Sequence, residues 1–430
     1  MKRVLLFSHT TGYQLRAFNE AAERLGIELV FATDRCHQLD DPWQDRAIPV
    51  RFYDLAPSLN LIARRARETP VHGILAVGDR PVILAAYAAQ ALGIPWHSAA
   101  GAEASTDKRR SRAAFAAEGF PAPRFAIWDA GFAIQDSGAA IRDEGFDFPV
   151  VLKPVGLSGS RGVIRANDAA EFAAAFERIR ALLARPQIRA ARAGLEDEIL
   201  VEAYIEGDEY AVEGVLTGGA LRVFALFDKP DPLVGPFFEE TIYVTPPRTA
   251  AGIPSRIAAM VERAAGAVGL SHGPVHAECR VTAQGEIYIL EIAARPIGGL
   301  CSRVLSFRGP NGAERLSLET VLLEHALGQS IDRYDLEPAA SAVMMIPIPR
   351  RGIFKQMRGV EAAATVPGIT EIQITAKAGQ PLEPLPEAGS YLGFVFARGA
   401  EPADAEQSVR AAYARLEPEI ASSFEVSAFS

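Results

Sequence analysis

Cysteine is scarce in this chain. Cys36, Cys279 and Cys301 are its three cysteines, and none stands at a metal-type spacing. That leaves no cysteine-built metal centre to expect, and a reducing cytoplasm is the simplest compartment. Long apolar runs are missing as well. No stretch approaches the ~18 residues of a membrane span, so a soluble protein is expected. The first residues, MKRVLLFSHTT, begin like a signal segment, but the apolar run VLLF is too short for a signal core. An excess of basic charge is absent: 44 Lys and Arg face 53 Asp and Glu, for a net charge of −9. This argues against a general binder of phosphate backbones, while leaving room for a local basic site that takes a small anion. No repeat of 20–50 residues, no low-complexity tract and no GxxxxGK[ST] phosphate loop occurs.

What remains is globular in character, with 49% hydrophobic and 23% charged residues. A length of 430 residues exceeds one ordinary core, so two to four lobes are expected. Strand-like RVLLFS, IELVFAT and GILAVG alternate with helical stretches at about Tyr13–Leu25, Leu61–Arg67 and Val82–Leu92. This alternation predicts a parallel α/β domain over residues 1–97. The loop SHTTGYQ lacks a phosphate-binding glycine pattern and reads as a plain turn. From Ser105 the texture changes. Ser105 or Thr106 can cap a helix, DKRRSRAAFAAEG, that stops at Gly119. FPVVLKP then enters the glycine-rich loop GLSGSRG, VIRA returns, and Asn167 or Asp168 starts an alanine-rich helix to Leu183. ILVEAYIEG, EYAVEGVLTGG and ALRVFALFDK read as strands. DKPDPLVGPFFEETIYVTPPR reads as a mobile loop over a site.

The chemistry concentrates in three places. Glu278 in HAECRV and Glu291 in YILEIAARP flank the turn TAQGE, so a hairpin can bring them side by side. Period-2 alternation puts Glu278 on the less apolar face with His276 and Arg280, and puts Ile287, Ile289 and Glu291 on one face. Paired carboxylates with Arg295 four residues on suit a divalent cation and an anion. The alternative is a structural pairing of the two acids with Arg280 and Arg295. Lys153 closes an apolar strand just before the glycine loop, where it can meet phosphate oxygens beside the loop amides of Ser158, Gly159 and Ser160. Lys108, at a helix start where the dipole disfavours a cation, hints at an anionic partner. In VEAYIEGDEY, Glu202 could accept a purine amine, the backbone around Tyr204 and Ile205 could read the purine edge, and Glu209 could accept ribose hydroxyls.

In this order and spacing the pieces resemble the ATP-grasp superfamily over about Asp107 to Leu327. AVGDRPVILAAYAAQALGIP is similar to the domain that precedes ATP-grasp in such enzymes. RGIFKQMRGVEAAATVPGITEIQI and GSYLGFVFARG resemble the terminal domain of the L-amino acid ligases. The resemblance implies an ATP-grasp fold of α/β class with α+β lobes, an N-terminal Rossmann-like parallel domain and a small C-terminal α+β domain. The implied divisions are 1–97, 98–205 (small lobe), 206–338 (large lobe with the metal site) and 339–430. The implied activity is an ATP-dependent carboxylate–amine ligase, with ATP and Mg²⁺ (Mn²⁺ as an alternative) as cofactors. Its partners would be small-molecule carboxylates and amines, amino acids foremost, without nucleic acid or membrane, and a homodimer is the expected assembly. By the same resemblance Lys108 and Lys153 hold phosphates, with Ser158, Gly159 and Ser160 in the loop. Glu202, Tyr204, Ile205 and Glu209 take the nucleoside, and Glu278 and Glu291 ligate metal. Arg295 and Lys153 serve the chemistry. Many superfamily members have asparagine two residues after the second glutamate, where this chain has Ala293. Metal coordination would then rest on two carboxylates, phosphates and water.

Overall fold

The computed structural model describes residues 1–9, 14–34, 47–132, 141–190, 194–309 and 315–422. Most of the loop after the first strand, and Cys36, lie outside them. Arg3–Ser8, with Val4 to Phe7 fully buried, runs in the interior of a four-stranded sheet. Its neighbours Glu28–Thr33 and Gly73–Ala76 are both parallel to it, and Ile48–Pro49 adds an edge. A strand covered on both faces must be apolar throughout, which is why RVLLFS shows no alternation. Among the described residues the helices of this region are Leu15–Leu25, Leu55–Glu68 and Asp79–Leu92. The last two begin earlier than the sequence pattern predicts, because Pro57 and Pro81 fall in first turns, where a missing N–H has no consequence.

Residues 99–106 hold a helix that the sequence reading missed, with the Ser98 hydroxyl accepting from Gly101 N. The next helix, Lys108–Ala117, is capped by Asp107 rather than by Ser105 or Thr106. The Asp107 carboxylate accepts from Arg109 N and Arg110 N at 2.9 and 3.1 Å. An antiparallel sheet follows, in the order Phe125–Asp129, Glu198–Ala203, Val150–Pro154, Ile164–Ala166. Helix Ala169–Leu183 backs it, and Phe172, Phe176 and Ile179 give this sheet a core of its own.

Among the described residues the largest sheet has eight strands: Ile287–Ala293, Gly273–Val281, Asp208–Thr217, Ala220–Asp228, Ile242–Thr245, Ala340–Ile346, Gly393–Gly399 and Ile369–Ile374. All of its pairings are antiparallel. Strand Ile242–Thr245 lies inside the stretch expected to be a mobile loop, and it is the link between the two halves of the sheet. The sheet thus joins strands that lie on both sides of position 338 in the chain. Among the described residues no helix is long and apolar enough to cross a membrane.

The N-terminal region is pressed onto this assembly by close backbone contact. A Cβ on Gly101 would stand 2.4 Å from the Gly269 carbonyl oxygen. Neither backbone can yield cheaply, so G101A is expected to cost about 1–3 kcal/mol, read as a lower urea midpoint. A variant as stable as the parent would show that the contact is not firmly held.

Candidate active site

The hairpin Gly273–Val281/Ile287–Ala293 is irregular at one point, and the irregularity builds the site. Arg280 faces Tyr288 and Cys279 faces Ile289, but Glu278 then faces Glu291, leaving Leu290 as a bulge. Cross-strand partners share a face, so the bulge moves Glu291 away from the Ile287 and Ile289 side. The expectation that these three residues share a face is thus corrected, and the two glutamates come directly opposite each other. Val275, Ala277 and Cys279 stay in the core, as the alternation predicts.

A cavity of about 240 Å³ lies over this hairpin. Every candidate site residue lines it: Lys108, Lys153, Ser158, Gly159, Ser160, Glu202, Tyr204, Ile205, Glu209, Glu278, Glu291 and Arg295. Its other wall carries Met345, Tyr391 and Phe394 from the C-terminal third of the chain. The glycine-rich loop reaches the cavity through left-handed backbone at Gly159 and Ser160, with φ of 66° and 55°. It is tied to the C-terminal region by a hydrogen bond from Gly162 N to Pro386 O of 2.8 Å.

The pairing of charges differs from the simple structural alternative. Arg280 does not meet Glu278; its Nε donates to Glu209 at 2.9 Å, and its other nitrogens donate to Ile205 O and Leu233 O. Arg295 Nε donates to Asp79 Oδ1 at 2.6 Å, a link from the hairpin to the N-terminal helix Asp79–Leu92. Burial would raise the Asp79 carboxyl, but Arg295 outweighs it and holds the group down at about 2. Lys108 Nζ donates to Leu157 O at 2.6 Å and lies 3.8 Å from Glu291.

Glu202 is only 3% exposed and has both oxygens engaged. One accepts from Arg112 Nε at 2.9 Å and the other meets Lys153 Nζ. Its geometry thus gives it Lys153 to hold, and a purine amine would have to share one of these oxygens. Arg112 also donates to the carbonyl of Leu290, the bulge residue, at 2.9 Å. Burial opposes the charge on Glu202, but Arg112 and Lys153 prevail and hold its carboxyl near 2.

Several groups escaped the sequence reading. Lys229, Glu240 and Tyr243 come from the stretch read as a mobile loop, and Glu240 accepts from the Tyr243 hydroxyl at 2.8 Å. Burial, and then repulsion by Glu278, push the Glu240 carboxyl up to about 7. His276 has Nδ1 3.3 Å from Glu213 and Nε2 3.8 Å from Glu278. Burial pulls its imidazole down, but the hydrogen bond to Glu213 and the nearby Glu278 carboxylate lift it to about 9. Lysine and glutamate at the margins of apolar strands were the available signal, and nothing local to them showed that they meet.

The family description "ATP-grasp domain" matches residues 146–304, "ATP-grasp N-terminal domain" matches 19–96, and "L-amino acid ligase C-terminal domain 2" matches 344–421. The chain thus carries an ATP-grasp domain with its N-terminal companion domain, and its C-terminal region is similar to that of the L-amino acid ligases. The crystal structure of an L-amino acid ligase from Bacillus licheniformis superposes with a TM-score of 0.81 at 22% identity, covering 98% of this chain and 99% of that one. A D-alanine–D-alanine ligase of Aromatoleum aromaticum is 31% identical over 198 residues, 44% of this chain and 56% of that protein. An uncharacterised protein, y4rH of Sinorhizobium fredii, is 23% identical over 416 residues, 92% of this chain and 79% of that one.

The Arg112–Glu202–Lys153 array carries a stability prediction. A depressed carboxyl stabilises the fold above its unfolded pKa of about 4.5, and that contribution fades as pH falls toward about 2. It is on the order of 3 kcal/mol. Urea unfolding of the parent should therefore weaken between pH 4.5 and 2.5 more steeply than that of E202Q. R112M, which leaves a buried charge half paired, should lose about 3–5 kcal/mol at pH 7. Parallel pH profiles for parent and E202Q would show that the array contributes nothing.

Proposed function

We propose that this protein is an ATP-dependent ligase that joins two amino acids through an amide bond, releasing ADP and phosphate. The observation that carries the reading is convergence: two lysines, two facing carboxylates and one arginine share a single cavity. Its remaining wall comes from the region matching the L-amino acid ligase C-terminal domain.

In this reading Lys108, Lys153 and the amides of Ser158 to Ser160 hold the nucleotide phosphates. Tyr204 and Ile205 border the purine. The Ile205 carbonyl is taken by Arg280, so the purine edge would be read by the N–H. Glu209 accepts the ribose hydroxyls, and Glu202 fixes Lys153 while facing the base. Glu278 and Glu291 would hold Mg²⁺, or Mn²⁺ in its place. Facing carboxylates on a rigid hairpin suit such a hard cation, which when bound offsets charge on the phosphates.

A substrate carboxylate attacks the γ-phosphorus, the bond to the β-phosphate oxygen breaks, and ADP leaves. Two anions must approach for this step, and Lys108, Lys153 and Arg295 offset their repulsion. The second substrate's amine then attacks the acyl phosphate, loses a proton and expels phosphate. Water has to be kept out in between, a task for the glycine-rich loop and the 228–247 segment. The space beside Gly298 and Gly299, bounded by Cys301, Met345 and Phe394, fits an apolar amino-acid side chain.

Incubation with ATP, Mg²⁺ and mixed amino acids, followed by mass spectrometry, should show one ADP formed per amide bond. AMP as the nucleotide product rejects the acyl-phosphate route; ADP without an amino-acid amide moves the reading to another acid or acceptor. E291A should abolish magnesium-dependent turnover, and near-normal turnover would remove Glu291 from the metal set. Loss of one charge-assisted contact costs roughly 1.5–3 kcal/mol. K153A should therefore lower kcat/KM for ATP about ten- to a hundredfold. E209A should act chiefly on KM for ATP. Unchanged ATP kinetics in both variants would refute the nucleotide site.

A further inference from the structure

Lys229 directly follows the strand Ala220–Asp228, and three carboxylates from three separate segments surround its ammonium. Glu209 Oε1 lies at 2.8 Å, Glu278 Oε1 at 3.2 Å, and Glu240 Oε1 is in contact. An ammonium has three N–H donors, so one is available for each acid. The side chain is 2% exposed, and its nitrogen stands 5.1 Å from the centre of the Tyr243 ring. The same three glutamates each present an oxygen within 4.8 Å of the others, an arrangement that would otherwise gather a divalent ion. The lysine stands where that ion would be.

We propose that Lys229 is a positioning residue, the built-in cation that holds Glu209, Glu240 and Glu278 together and so couples the nucleoside end of the cavity to its metal-binding end. The roles of Glu209 and Glu278 in this inference rest on the ligase reading above. With its donors committed to the three acids, Lys229 acts through them rather than on a phosphate. Arg280 meets Glu209 from the other side and His276 approaches Glu278, whereas Glu240 is met by Lys229 and the Tyr243 hydroxyl. Without the lysine, three carboxylates at this separation repel one another. They would part, or take up a divalent ion in its place. Lys229 and Glu240 also bracket residues 230–239, so their ion pair fixes both ends of the segment that sets Leu233 and Phe238 against the cavity.

The test compares the parent, K229M and K229M/E240Q. Nucleotide-free protein is titrated with Mn²⁺ and followed by electron paramagnetic resonance, and ATP kinetics are measured alongside. K229M is expected to bind one more Mn²⁺ per chain than the parent and to raise KM for ATP at least tenfold, with a smaller effect on kcat. K229M/E240Q, with one acid fewer, should lose the added Mn²⁺ and recover part of the KM. Parental Mn²⁺ stoichiometry together with parental KM in K229M would overturn the proposal. Should K229M fail to fold, a folded double variant supports a role in charge balance, and an unfolded one overturns it. Absence of any ATP-dependent turnover in the parent would reject the ligase reading, and the Mn²⁺ comparison would still decide this one.

Discussion

A carboxylate removed from water keeps its charge only if a cation or several donors meet it, and the walls of the central cavity are organised around that requirement. Glu202 is met by Arg112 and Lys153, Asp79 by Arg295, Glu209 by Arg280 and Lys229, and Glu278 by Lys229 and His276. These pairs contribute less to net stability than their number suggests, because desolvation offsets most of the attraction. What they fix is geometry. Glu202 holds Lys153 and Asp79 holds Arg295, so the protein's own acids fix the positions of these cations.

The sheet architecture makes those pairings possible. One eight-stranded antiparallel sheet runs from the hairpin that carries Glu278 and Glu291 to the C-terminal strands that carry Met345 and Phe394. Strand Ile242–Thr245 is the splice. It pairs with Asp228 at one edge and with Ser341 to Met344 at the other. Glu240, just before this strand, and Tyr243, within it, both line the cavity. A separate four-stranded sheet supplies Lys153 and Glu202, and the parallel N-terminal region adds Asp79. Side chains from three sheets or their flanking helices thus meet at one place, and the N-terminal and eight-stranded sheets share a continuous core.

Much of this was legible in the chain. Period-2 alternation identified the hairpin and the inner face of Gly273–Val281, and the apolar run before GLSGSRG located Lys153 at a strand end. Alternating strands and helices announced the parallel N-terminal sheet. These features depend on residues a few positions apart, and short-range periodicity carries them faithfully. The weaker readings were also local, as with the helix starts masked by Pro57 and Pro81 and the cap taken by Asp107 instead of Ser105 or Thr106.

By itself the sequence determined which acids and bases could reach a common site, and in what order along the chain. Tertiary structure alone decided which cation meets which acid. Asp79 and Arg295 are 216 residues apart, and Arg112 and Glu202 are 90 apart. The bulge at Leu290 reversed the face of Glu291, a change of one residue in register that periodicity cannot register in advance. Lys229 and Glu240 read as loop charges because only folding brings them to each other and to Glu209 and Glu278. Desolvation at that junction is what makes three carboxylates and one ammonium a single unit, and it arises only when the strands close around them.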